Sequence, residues 1–312
     1  MAERSDKLTD LGSAIDAHLR DGDSLYITGF THLIGFGAAH EIIRRRRRDL
    51  TLIRMTPDVV YDQLVAAGCA KHLHFSFLGN PGVGSLKAIR RAIEGGEIGW
   101  TEYTHGSLIA ALRAGATGAP FALAPAAGRT DLARHSDRFA HVTSPFDGER
   151  VGVVAALRPD VAIVHVQRAD AEGNAQVWGP VGDIPEAANA ARRVIVTAEE
   201  IVETERLRRD PNRTVLLAGA VDAVVHLPWG AHPSYAQGMY GRDNRFYREW
   251  AEISSSGERL SAWFEEQVYG LPDWGSYVER HRERLEELAR VGVAASDPVN
   301  YGDNAALAAA QE

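Results

Sequence analysis

The chain has 312 residues, of which 45% are apolar and 24% charged. That composition supplies enough apolar surface for a core and excludes long disorder. A net charge of −8 argues against nucleic acid as the main partner, and no apolar run is long enough for a membrane span. The single cysteine, Cys69, excludes an intrachain disulfide framework and fits a reducing cytoplasm. The opening segment Met1–Lys7 is polar and does not read as a signal peptide.

Strand and helix patterns alternate along the first half. Leu8, Leu11, Ile15 and Leu19 recur at helical spacing up to Asp21-Gly22. Residues 24–28 read as a strand, 38–43 as a helix running into Arg44–Arg48, and 50–55 as a strand. A helix over 58–67, a strand over 72–78 and a helix over 85–94 follow. A short strand near Glu102 and a helix over 106–116 close this half. Further on, 161–166, 193–197 and 221–226 are nearly continuous apolar runs, the mark of strands covered on both faces. The fold class expected is therefore α/β: an open, mostly parallel sheet with helices on both faces. Residues 243–312 form a C-terminal helical extension, packed on the same domain as the α/β body of 1–242. Its aromatic residues lie among many charges, and its end, Ala305–Glu312, is expected to fray.

In such a sheet ligands bind beyond the carboxyl ends of the strands. Three glycine-rich segments are expected there: Thr28–Gly37, Gly79–Gly84 and Ala127–Thr130. Glycine lets the backbone approach a ligand and exposes N–H donors, although a tight turn needs it just as often. Gly35-Phe36-Gly37 lacks the third glycine of a dinucleotide fingerprint, because His40 stands in its place. Neither a phosphate-binding Walker motif nor a GxSxG elbow occurs. His72 and His74 share one strand face, and with no third ligand they read as structural rather than metal-binding. Arg44–Arg48 read as solvated arginines complementing a helix C-terminus, with phosphate contact as the alternative. Cys69 reads as a buried structural thiol. Glu102 and His105, flanking a helix start, are accessory candidates for acid–base chemistry, with capping and packing as the competing role.

These segments together resemble the family I coenzyme A transferases, and within them the A (alpha) chains of glutaconate CoA-transferases. The N-terminal part of the likeness is Asp21–Phe30, where Thr28 replaces the family's first glycine and a following proline is missing. The stronger part is an ordered series: Ala162–Asp170, Gly173-Asn174, Val177-Trp178-Gly179, Glu186–Ile201, Arg208–Pro211, Val221–Val225, Gly230–Ser234 and Asp243–Phe246. The resemblance spans about 10–290.

It implies an enzyme that moves coenzyme A from an acyl-CoA to a free carboxylate through a glutamyl-CoA thioester. In two-subunit members that glutamate lies in the B subunit, commonly before Asn-Gly, and no Glu-Asn-Gly occurs in this chain. The chain is thus expected to be the A half of a cytoplasmic hetero-oligomer, with no catalytic residue of its own beyond the accessory Glu102 and His105. Coenzyme A enters as substrate, and no metal is implied. Gly29, Phe30, Asn80, Gly82, Gly84 and Gly128 are the expected acyl or CoA contacts. Two alternatives stand beside this reading. One is a subunit of a related hydrolase that opens a ring of a steroid-derived acyl-CoA, supported by Gly230-Ala231-His232 and Tyr240–Asp243. The other is a non-enzymatic acyl-CoA-binding scaffold.

Overall fold

A computed structural model describes residues 6–289. Helix α1 (Leu11–His18) begins later than its periodicity suggests, because the Asp10 side chain caps it by accepting from the Ser13 N–H. Leu8 is left outside, where it bridges to Val224. Then come β1 (Ser24–Ile27), α2 (Phe36–Arg44), β2 (Leu50–Ile53), α3 (Val59–Ala66), β3 (Ala70–Phe75), α4 (Lys87–Glu94), β4 (Gly99–Glu102) and α5 (His105–Ala116).

A unit with no counterpart in the sequence pattern follows. Strands β5 (Phe121–Leu123), β6 (Phe139–Thr143) and β7 (Arg150–Ala155), with the short α6 (Leu132–His135) between the first two, form an antiparallel sheet in the order β5-β7-β6. The chain returns to the main sheet through β8 (Val161–Ala169), β9 (Ala175–Gln176), α7 (Ile184–Ala190), β10 (Arg193–Ile201), α8 (Thr204–Arg208), β11 (Thr214–Leu216) and β12 (Ala223–His226).

Seven strands of the main sheet are parallel, in the order β12-β10-β8-β1-β2-β3-β4. The order reverses between β1 and β8: later strands of the first half step one way, and those of the second half step the other. Such a switch point leaves a crevice at the carboxyl ends. The crevice is stepped here. Strand β1 pairs with β8 only as far as Ile27 and Ile163, whereas β8 continues to Ala169 and pairs with the antiparallel β9. Side chains alternate across the sheet. Leu25 and Ile27 join α1–α4 in one core, and Tyr26 and Ile53 join α5 and the small sheet in another.

The extension is helical as expected: α9 (Asn244–Ile253), α10 (Gly257–Phe264), α11 (Trp274–Arg280) and α12 (Arg282–Ala289). Phe246, Tyr247, Trp250, Trp274 and Tyr277 bury themselves in the core formed with α1–α4; a buried side chain of this size contributes roughly 2 kcal/mol. The expected frayed end at 305–312 lies outside the described residues. The arginine run is less solvated than expected. Arg44 Nε donates to the carbonyls of Val268 and Leu271, 3.2 and 2.8 Å away, and so ties the extension to α2. Arg45 and Arg47 pair with Asp16 on α1. Only Arg46 and Arg48 of the five are exposed. No helix among the described residues is long and apolar enough to cross a membrane.

Candidate functional site

The loop after β1 occupies the switch point. Gly29 has φ +106°, and a Cβ there would fall 2.6 Å from the carbonyl oxygens of His32 and Leu33. Only glycine fits that turn. Phe30 is 40% exposed and rests on Gly182, just before α7, where a Cβ would come within 2.9 Å of Phe30 Cβ. Beneath the loop, His32 and Gln167 fill the step between β1 and β9. The Gln237 N–H donates to His32 Nε2 at 3.0 Å, His32 Nδ1 lies 3.2 Å from the Pro180 carbonyl, and the Gln167 Nε2 amide donates to the Trp178 carbonyl at 2.7 Å. Burial pushes His32 down to about 4, so the ring is neutral and can accept at Nε2. The N–H groups of Gly29, Phe30 and Thr31 donate to no acceptor among the described residues. Unpaired N–H groups on a turn with positive φ are the kind of donor that backbone anion sites use.

A second cluster stands at the ends of β2, β3 and β4. Thr104 and Ser107 form a capping box, which starts α5 at His105. The exposed His105 ring lies between two hydroxyls: Nδ1 is 3.0 Å from Ser76 Oγ, and Nε2 is 3.0 Å from Thr56 Oγ1. Ser76 gives its one hydrogen to the Met55 carbonyl at 2.6 Å. It therefore accepts from His105 Nδ1–H, which leaves the Nε2 lone pair facing the Thr56 hydroxyl. The basic nitrogen of the ring is Nε2.

Thr56 and Ser76 do not stand out in the sequence. Isolated hydroxyls carry no motif, and the available signal is their position just after two strands. Glu102 is not brought to His105. It lies with Phe75 and Trp100 on the opposite face of β4, lining a cavity of about 340 Å³.

Asn80, Gly82 and Gly84 lie past the end of β3, on a hairpin closed by paired bonds between Asn80 and Gly84. Gly82 and Gly84 have positive φ with open space around them, whereas Asn80 is buried and donates from Nδ2 to the Tyr247 carbonyl at 2.8 Å. Arg242 stacks 3.7 Å from the Tyr247 ring and donates to the Pro81 carbonyl at 2.7 Å. The hairpin is thus held by the extension. Gly128 departs from the expected placement. It sits on a turn after β5 in the small sheet, away from the main sheet's edge, and a Cβ there would lie 2.7 Å from Gly152 Cα. Close packing of two backbones explains that glycine.

His72 and His74 each have a hydroxyl neighbour on the next strand segment: Nε2 of the first lies 2.8 Å from Thr101 Oγ1, and Nδ1 of the second 3.3 Å from the Tyr103 hydroxyl. Burial pushes the Cys69 thiol up to about 12, so it is not a reactive thiolate.

Known proteins agree with this layout. The signature of the coenzyme A transferase family matches residues 8–227. The A chain of the 3-oxoadipate CoA-transferase of Pseudomonas knackmussii is 45% identical over 280 residues, which are 89% of this chain and 99% of that one. The A chain of the glutaconate CoA-transferase of Acidaminococcus fermentans is 32% identical, covering 88% of this chain and 91% of its own. The crystal structure of that enzyme matches with a TM-score of 0.86 at 30% identity, over 90% of this chain and 95% of that one. The IpdA subunit of the cholesterol ring-cleaving hydrolase of Rhodococcus jostii is 31% identical over 93% of this chain and 100% of its own. With the signature running from Leu8 through the whole stepped sheet to Leu227, this chain belongs to the coenzyme A transferase family.

Proposed function

We propose that this chain, the A half of a heteromeric coenzyme A transferase, supplies the oxyanion-binding wall of a site shared with a B-type subunit, and that its acids are dicarboxylic. The near-full-length match to an A chain named for 3-oxoadipate carries the reading, and the A chain named for glutaconate supports the acid class. In the reaction a glutamate of the B-type subunit attacks the acyl-CoA carbonyl and the thiolate leaves. The thiolate then takes the glutamyl group as a thioester and releases the first acid. The acceptor carboxylate reverses both steps. Each attack places negative charge on a carbonyl oxygen, and the free N–H groups of Gly29, Phe30 and Thr31 are donors suited to it. Gly82 and Gly84 belong to the same edge and are assigned to CoA contact. Asn80 shapes their hairpin, and Gly128 keeps only an indirect part. His105 Nε2 is placed to accept a proton or to orient a carboxylate. The location proposed is cytoplasmic.

The test is to assay the purified chain alone and after co-expression with a B-type CoA-transferase subunit, using 3-oxoadipate and succinyl-CoA. No transfer is expected from the chain alone, and transfer that requires the free acid is expected from the pair. Product release without an acceptor would favour the hydrolase. A coenzyme A adduct on any glutamate of the isolated chain would refute the division of labour.

A further inference from the structure

One buried cation sits between the two clusters and has no part in the chemistry above. Arg54 follows β2 and is 2% exposed. Its guanidinium reaches three main-chain carbonyls on two loops. Nη1 donates to Ile27 O at 3.2 Å, Nη2 to Gly29 O, and Nε to Thr56 O at 3.1 Å. Asp58 Oδ2, 3.7 Å from Nη2, balances the charge, and the Tyr61 ring lies 5.4 Å from the guanidinium carbon. Asp183 is buried in the same surroundings. It is bonded to the Tyr26 hydroxyl and stands next to Gly182, the seat of Phe30.

The Gly29–Phe30 peptide is trans, so its N–H points opposite to its C=O. A guanidinium that draws the Gly29 carbonyl inward therefore turns the Phe30 N–H outward. The same group pulls on the carbonyl of Thr56, whose hydroxyl faces His105. We infer that Arg54 is a positioning residue: it aims the Phe30 N–H donor and sets the Gly29 loop in register with the Thr56–Ser76–His105 cluster. A lysine keeps the charge opposite Asp58, but as a compact ammonium it cannot hold three carbonyls in the fixed fork that arginine provides.

This assignment rests on the loop serving as the oxyanion wall, so its test has one arm that needs no activity. Hydrogen exchange of the peptide covering residues 26–36 is compared in the wild type and Arg54→Lys, with α5 as internal reference. Exchange at Thr28 and Leu33, whose N–H groups are bonded to the Ile163 and Tyr235 carbonyls, is expected to quicken about tenfold in the variant while α5 is unchanged. Equal exchange in both proteins would overturn the assignment even if the enzyme proved to be no transferase.

In the assembled enzyme, Arg54→Lys is expected to lower kcat at least tenfold, with KM for acyl-CoA within twofold and full heteromer on size exclusion. Gly29→Ala is made alone and combined with Arg54→Lys. The double variant is expected to be no slower than Gly29→Ala, because both act through one loop. Multiplying losses would show that Arg54 acts elsewhere. An unchanged kcat, or a loss that tracks failed assembly, would also refute it. If Arg54→Lys does not fold, Arg54→Gln with Asp58→Asn removes both charges, and the same exchange and kcat criteria apply.

Discussion

Two histidines in this protein have nearly the same neighbours and opposite meanings. His165, in the middle of β8, has Nδ1 2.8 Å from Thr197 Oγ1 and Nε2 2.8 Å from Glu199 Oε1. The Tyr240 hydroxyl donates to the same carboxylate, as does the Trp229 N–H at 2.6 Å. Its ring is wholly buried and is closed in by Gly230, where a Cβ would fall 2.6 Å from it. His105 also has two oxygen neighbours, but it is exposed, stands on a helix start, and has no carboxylate partner among the described residues. The trio of His, Glu and Tyr resembles a catalytic constellation by composition and is closed to substrate. The plainer group presents its imidazole to solvent. Solvent access and unused bonding capacity, and not residue type, are what recommend His105 over His165 for the chemistry proposed.

The comparison breaks first at Glu199. Glu199→Ala would strand His165, the Tyr240 hydroxyl and the Trp229 N–H without their acceptor in the interior. Removing one partner from such a buried network costs about 3 kcal/mol or more. That lowers the melting temperature by roughly 10 °C in a chain of this size. A thermal melt reads it, and a change below about 1 kcal/mol would mean that the network is not closed.

His105→Ala should do the reverse. Stability is expected to stay within about 0.5 kcal/mol, as for other surface changes. Turnover of the assembled enzyme is expected to fall at least about tenfold, near 1.4 kcal/mol of barrier. An effect seen only in the melt would remove His105 from the chemistry.

The smallest effect is a slope. His40 is buried against the rings of Trp263, Trp274 and Tyr277, and that burial pushes it down to about 3. Unfolded, it takes up a proton near its ordinary 6.5. Its contribution is therefore intact above pH 6.5 and is lost as pH falls toward 3. His40→Phe should flatten stability in that window by about 1.4 kcal/mol per pH unit. Urea titrations at pH 4.5 and 6 would measure it, and an unaltered slope would show the ring already protonated in the fold.

The parallel sheet was legible because β8, β10 and β12 are apolar on both faces, a pattern that few other contexts produce. The small sheet was not. The face carrying Phe121, Leu123, Ala140, Val142 and Val151 is as apolar as the face carrying Ala122, Phe139 and Val154, so the alternation of a half-exposed sheet is erased. At the site, the Gly29 loop could be read because a turn with positive φ after a strand demands glycine. Arg54, Thr56 and Ser76 were missed because the roles proposed for them arise where β1, β2 and β3 end beside the start of α5, a relation between elements that no stretch of sequence contains. Gly128 misled for a related reason: the glycine that lets two backbones touch looks the same as one that admits a ligand.

The unequal lengths of β1 and β8 also decide which part of this edge meets solvent. Strand β8 outruns its neighbour by six residues, from Ile163 to Ala169, roughly 20 Å at the usual strand rise. With His32, Gln167 and β9 closing the gap, that length of β8 stays buried, and what the switch point offers to the surface is the loop above it, where Phe30 is exposed.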